Sequence, residues 1–148
     1  MDELRRKGLD KMNEVYGWEM PDMPGDYFAL TADHLFGTIW NRPGLSMRDK
    51  RIMTLTVVTA LGITDLAEIQ ANAAMANGEL SEEELKEMAI FLTHYLGFPL
   101  GSKLDGAVTK VAKQRRKNAD RGKDTAEDRR ANVNAALNMH SGSSLDEQ

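Results

Sequence analysis

His34, His94 and His140 are the side chains of this sequence best matched to moving a proton near neutral pH. His34 stands three residues before Gly37 and six before Trp40, His94 stands beside Tyr95, and His140 falls in a polar tail and is set aside. Asp65 and Glu68 add carboxylates early in the segment "TDLAEIQANAAMANGELSEEEL", Thr64 to Leu85. Arg42 carries a planar fork suited to a carboxylate, and Trp40 and Tyr95 suit the walls of a small apolar pocket. Such a set fits acid–base chemistry on a small organic anion. Each residue also has a plainer reading. His34 reads as a partly exposed helix residue, His94 as a hydrogen-bonded helix end, and Asp65 as a charge favoured near a helix N-terminus. Glu68 reads as solvent-facing, Arg42 as a pin for its loop, and the aromatic residues as core.

Other chemistries are excluded by what is missing. The 148 residues contain no cysteine, which removes disulfides, thiolate nucleophiles, zinc ribbons and dithiol redox couples. The histidines are far apart and none is paired at i, i+4 with another ligand, so no metal site or cofactor is expected. There is no glycine-rich phosphate loop. Val111 to Ala131 holds eight Lys/Arg against four Asp/Glu, in a chain whose net charge is −4. This basic stretch alternates with acidic residues and carries no aromatic residue to stack on bases, so it reads as a solvated helix and not as a nucleic-acid surface. No run approaches the roughly 18 apolar residues of a membrane span. The charged start "MDELRRKGLDK" lacks an apolar signal core, which places the expected compartment in the cytoplasm.

The elements that must carry these residues read as helices nearly throughout, in segments with apolar residues three and four apart. A first helix is expected over Asp2 to Val15, followed by a loop through Pro21 and Pro24. Asp26 is expected to cap a second helix to Trp40, burying Phe28, Leu30, Leu35, Phe36 and Ile39. Ser46, with Asp49 three residues on, opens a third. That helix carries "IMTLTVVTAL" (Ile52 to Leu61), apolar on most sides and therefore expected centrally or at a subunit interface. Thr64 is expected to cap the next, which Gly78 closes. Ser81 with Glu84 forms a capping box, and Leu80 with Leu85 a hydrophobic staple, opening a helix that stops at Gly97 and Pro99. A last core helix is expected from Leu100 to Lys117, with one more over Thr125 to Met139 and a polar end. The fold class is all-α. Residues 1–25 form an N-terminal helix and loop, 26–117 the core, and 118–148 a C-terminal arm.

Four pieces in order, the W-x-R-P-G-L loop at Trp40 to Leu45, the apolar helix after it, the A-A-x-x-x-G turn at Ala73 to Gly78 and Y-x-G-x-P at Tyr95 to Pro99, resemble the carboxymuconolactone decarboxylase family, including its alkylhydroperoxidase AhpD-like members. The resemblance covers about Asp33 to Ala107. It implies a helical bundle that assembles as trimers or hexamers, with its active site on the Thr64–Leu85 hairpin. The redox members use Glu-x11-Cys-x2-Cys-x3-His, and on this sequence those positions are Arg51, Ile63, Leu66 and Gln70. A thiol peroxidase is therefore excluded. The decarboxylase members need no cysteine but carry a histidine at the place of Gln70 and an acidic residue at that of Leu66. Glutamine donates and accepts hydrogen bonds without exchanging a proton. The resemblance thus implies a cofactor-independent decarboxylase-like lyase for a small carboxylate or lactone. Gln70 would orient the substrate, His34 or His94 would move the proton, and Trp40, Arg42, Asp65 and Tyr95 would bind. The alternative is a non-catalytic oligomer that binds a ligand or partner protein on the same scaffold.

Overall fold

A computed structural model describes residues 1–122. Its elements are α1 (Glu3–Tyr16), α2 (Asp26–Ala29), which runs directly into a π-helical segment (Leu30–Ile39), then α3 (Met47–Ala60), α4 (Thr64–Ala76), α5 (Glu82–Leu96) and α6 (Phe98–Asp120). The described residues contain no strand, and none of their helices is long and apolar enough to cross a membrane. The helix expected over Thr125 to Met139 lies outside the described residues.

Local chemistry sets most boundaries. Ser46 Oγ accepts the Asp49 backbone N–H at 3.0 Å to start α3. At α5 both halves of the capping box form: Ser81 Oγ accepts from Glu84 N, and Glu84 Oε1 accepts from Ser81 N, each at 3.1 Å. Leu80 and Leu85, the staple around it, are both buried in the core. Two expected caps differ. Gly25 holds the N-cap of α2, at φ 104°, and Asp26 is the first helical residue. Ile63 precedes α4 without a side-chain cap, so Thr64 lies inside the helix. α6 begins at Phe98 because Pro99 fits the first turn, where its missing N–H has no role.

The second helix also departs from expectation in its winding. Over Leu30–Ile39 the bonds reach back five residues, as in Trp40 N–H to Leu35 O at 2.9 Å. Each turn then takes up an extra residue, and the apolar face read at a 3.6-residue period is rotated out of register. Phe28, Ala32, Phe36 and Gly37 are buried, whereas Leu30, Leu35 and Ile39 are exposed. Backbones approach closely here: a Cβ at Gly8 of α1 would lie 1.8 Å from Ala32 O.

The core has two parts. Leu55 and Val58 of α3, the alanines of α4, Leu85 and Leu92 of α5 and Leu104 and Val108 of α6 form one. Leu9, Met12 and Val15 of α1 with Phe28, Ala32 and Phe36 form the other. The apolar stretch of α3 is therefore divided: one face is buried, and Met53, Val57 and Leu61 point outward, each more than half exposed.

Candidate functional site

The hairpin of α4 and α5 is closed by a buried charge network. Arg51 is fully buried on α3, on the same face as Leu55 and Val58. Its Nε donates to Glu79 Oε2 at 2.7 Å and its Nη2 to Glu79 Oε1 at 3.1 Å, a two-point pair with a carboxylate of the hairpin turn. Its Nη1 donates to Gln70 Oε1 and to Val15 O, both at 2.5 Å, and Nη2 also reaches Glu14 O at 3.4 Å. All five guanidinium N–H groups are thus placed. Two of the acceptors are carbonyls of the last turn of α1, where the helix dipole favours a cation. Asn77 Nδ2 donates to Glu14 O as well, at 2.7 Å. One guanidinium therefore ties together α1, α3, α4 and the turn.

The expected site residues fall in separate places. Gln70 is buried with its carbonyl committed to Arg51. His34 is exposed on the π-helical segment. Its neighbour Asp33 turns to Arg5, accepting from Nε at 2.5 Å and Nη2 at 3.0 Å. These bonds hold the Asp33 carboxyl below its ordinary range. His94 is exposed near the end of α5, with Nδ1 2.7 Å from Ile90 O. Neither histidine bonds to Gln70. Tyr95 is exposed and packs on Phe91, with ring centroids 5.1 Å apart. Asp65 is half-buried in the first turn of α4. Glu68 is not a solvent-facing charge: its side chain is largely buried and accepts from Lys110 Nζ at 3.1 Å.

Trp40 and Arg42 do come together, in a groove of about 430 Å³ between their loop and α3. Ile39, Trp40, Leu45 and Met53 form its apolar wall, with Gly44 and Thr54 completing it and Arg42 and Lys50 supplying positive charge. This size suits a small ligand. Trp40 is held by stacking on Phe36, centroids 6.0 Å apart. Lys50 Nζ donates to Trp40 O at 2.8 Å and Arg42 O at 2.6 Å, so it is Lys50 that pins the loop. The Arg42 guanidinium has no hydrogen-bond or ion-pair partner among the described residues and is exposed. No group of three or more metal-ligating side chains gathers among the described residues.

Sequence reasoning missed Arg51, Glu79 and Lys50. Arg51, Leu55 and Val58 recur at i, i+4 and i+7, as do Ala67, Gln70 and Ala74 at i, i+3 and i+7, so the spacing alone signals that Arg51 and Gln70 belong to buried faces.

The Carboxymuconolactone decarboxylase family profile matches residues 25–110. A 4-carboxymuconolactone decarboxylase of Acinetobacter baylyi is 31% identical over 107 residues, covering 66% of this chain and 79% of that protein. The chain belongs to the carboxymuconolactone decarboxylase family.

Proposed function

We propose that the protein is a cofactor-independent decarboxylase-like lyase acting on a small carboxylate or lactone held in the groove between the Trp40–Leu45 loop and α3. The observation that carries this reading is an unpaired guanidinium at Arg42 over an apolar wall, in a member of a family with a decarboxylase relative. Loss of CO2 breaks one C–C bond and leaves its electron pair on the substrate, delocalised into a neighbouring carbonyl as an enolate. A proton must then be returned to carbon. Arg42 anchors the substrate by an oxyanion, and Ile39, Trp40, Leu45 and Met53 offer an apolar wall to the rest of it. With no cysteine in the sequence, a thiol-dependent peroxidase has no nucleophile.

The test is disappearance of 4-carboxymuconolactone with matching CO2 release between pH 6 and 8. Turnover that falls at least tenfold in Arg42→Gln supports the reading, and wild type without turnover overturns it. A second reading, a ligand- or partner-binding protein without catalysis, is favoured by the burial of Gln70 and the engagement of its amide carbonyl by Arg51. Binding without turnover would select it.

A further inference from the structure

Resting on the lyase reading, the geometry points to Lys50 as the group that returns the proton to the substrate after CO2 leaves. Of the groove's lining residues Ile39, Leu45, Met53 and Gly44 carry no exchangeable side-chain proton, and the Trp40 indole is no acid at ordinary pH. Thr54 spends its hydroxyl proton on Lys50 O at 2.9 Å, and Arg42 does not give up its proton in proteins. Lys50 is left. Outside the groove, Gln70 cannot exchange a proton, and the two described histidines are exposed and do not line it.

The hydrogen bonds of Lys50 fit the same role. An ammonium has three N–H groups, and two of those on Lys50 are fixed on Trp40 O and Arg42 O. The third is free to act in the groove. Transfer of that proton to the enolate carbon forms a C–H bond and leaves a neutral amine. The amine keeps two N–H groups, as many as the two carbonyls need, so the loop that presents Trp40 and Arg42 stays pinned. Water then returns a proton to the amine. The balance is a carboxylate and one proton giving CO2 and a C–H bond, with no oxidant or reductant.

The experiment compares wild type, Lys50→Gln and Lys50→Arg on 4-carboxymuconolactone. It measures kcat and KM, and the stereochemistry of the single deuterium incorporated in D2O. Substrate binding is followed in parallel by Trp40 fluorescence in a Trp18→Phe background. Lys50→Gln should lower kcat by roughly 100-fold or more, with binding weakened as well by the loss of the loop pin, and any residual product should lose its stereochemical preference because solvent now supplies the deuteron. Lys50→Arg keeps the charge and the carbonyl bonds but cannot transfer a proton, and kcat should stay low. Recovery in Lys50→Arg to within tenfold of wild type would overturn the assignment, reducing Lys50 to a loop pin. Full turnover in Lys50→Gln, or abolition by His34→Ala or His94→Ala, would overturn it too. In each of those cases the lyase reading stands. Absence of turnover in wild type is the separate outcome that removes the lyase reading and Lys50's role with it.

Discussion

Arg51 is a charge with no contact with water, and its surroundings make sense of that only as a set. Taking a guanidinium out of water costs several kcal/mol, recovered when a carboxylate and good hydrogen bonds replace the lost hydration. Glu79 supplies the charge, and Gln70, Val15 and Glu14 supply the remaining acceptors. Breaking the pair from one side should therefore be expensive. Glu79→Gln, which keeps the shape and removes the charge, is expected to destabilise the fold by about 3 kcal/mol or more. Arg51→Met combined with Glu79→Leu should cost much less than the single Glu79 change, because no charge is then stranded. Urea unfolding of the variants measures both, and a Glu79→Gln protein as stable as wild type would refute the buried-pair account. Gln70→Ala leaves one guanidinium N–H unpaired and should cost about 1–3 kcal/mol. Gln70→His, which places a histidine where the family resemblance implies one, is expected to yield no gain in turnover, since the new ring would face a buried cation and not a substrate. A rise in CO2 release in that variant would count against the closed hairpin.

At the scale of elements, the boundaries legible in the sequence were those written in local chemistry. The Ser81/Glu84 box and the Leu80/Leu85 staple each depend on residues within five positions of one another, whereas α6 starts at Phe98, two residues before the expected Leu100. Ser81→Ala should cost about 1 kcal/mol of stability. Glu84 adds a pH dependence of known sign. Its carboxyl is held below its ordinary value of 4.5, first by the Ser81 backbone N–H and then by Arg48. A depressed folded value stabilises the protein fully above the unfolded value, and that contribution disappears as pH falls through the folded one. The difference in Tm between wild type and Glu84→Gln should thus be largest at neutral pH and shrink as pH falls below 4.5. A difference independent of pH would contradict it. What the sequence did not display depends on distant partners. Arg51 and Glu79 are 28 positions apart, and an arginine in a mixed helix reads as solvated unless its spacing is weighed against Leu55 and Val58. The π-helical winding left no mark, because "LTADHLFGTI" suits an α period equally well, although the segment meets α1 in close backbone approach at Gly8 and Ala32. Of the site, Trp40 and Arg42 were legible as a loop motif. Lys50 was not, since its role comes from reaching back eight and ten residues to carbonyls.

At the scale of the whole molecule, an apolar stripe stands uncovered among the described residues, and this bears on the groove. Met53, Val57 and Leu61 recur every four residues on one side of α3, exposed at 57%, 55% and 67%. A row this continuous on one helix face marks a contact surface more readily than solvated skin. Met53 is also part of the groove wall, so whatever covers the stripe also borders the groove. Assembly of several copies through this face is the expected outcome, in keeping with the oligomers the family resemblance implies. Val57 sits in the middle of the stripe and outside the groove lining, which makes it the informative position. Val57→Glu would place a charge in a desolvated contact without touching the core, as its side chain points away from Leu55 and Val58. Sedimentation velocity should show a wild-type oligomer and a Val57→Glu protein of lower mass with unchanged helical content. If the groove depends on the neighbouring copy, KM should rise in that variant while Trp40 stays stacked on Phe36. A stable wild-type monomer would overturn the assembly and leave the groove as a single-chain site. An oligomer indifferent to Val57→Glu would instead move the contact to the exposed Phe91, Tyr95 and Phe98 surface at the α5–α6 corner.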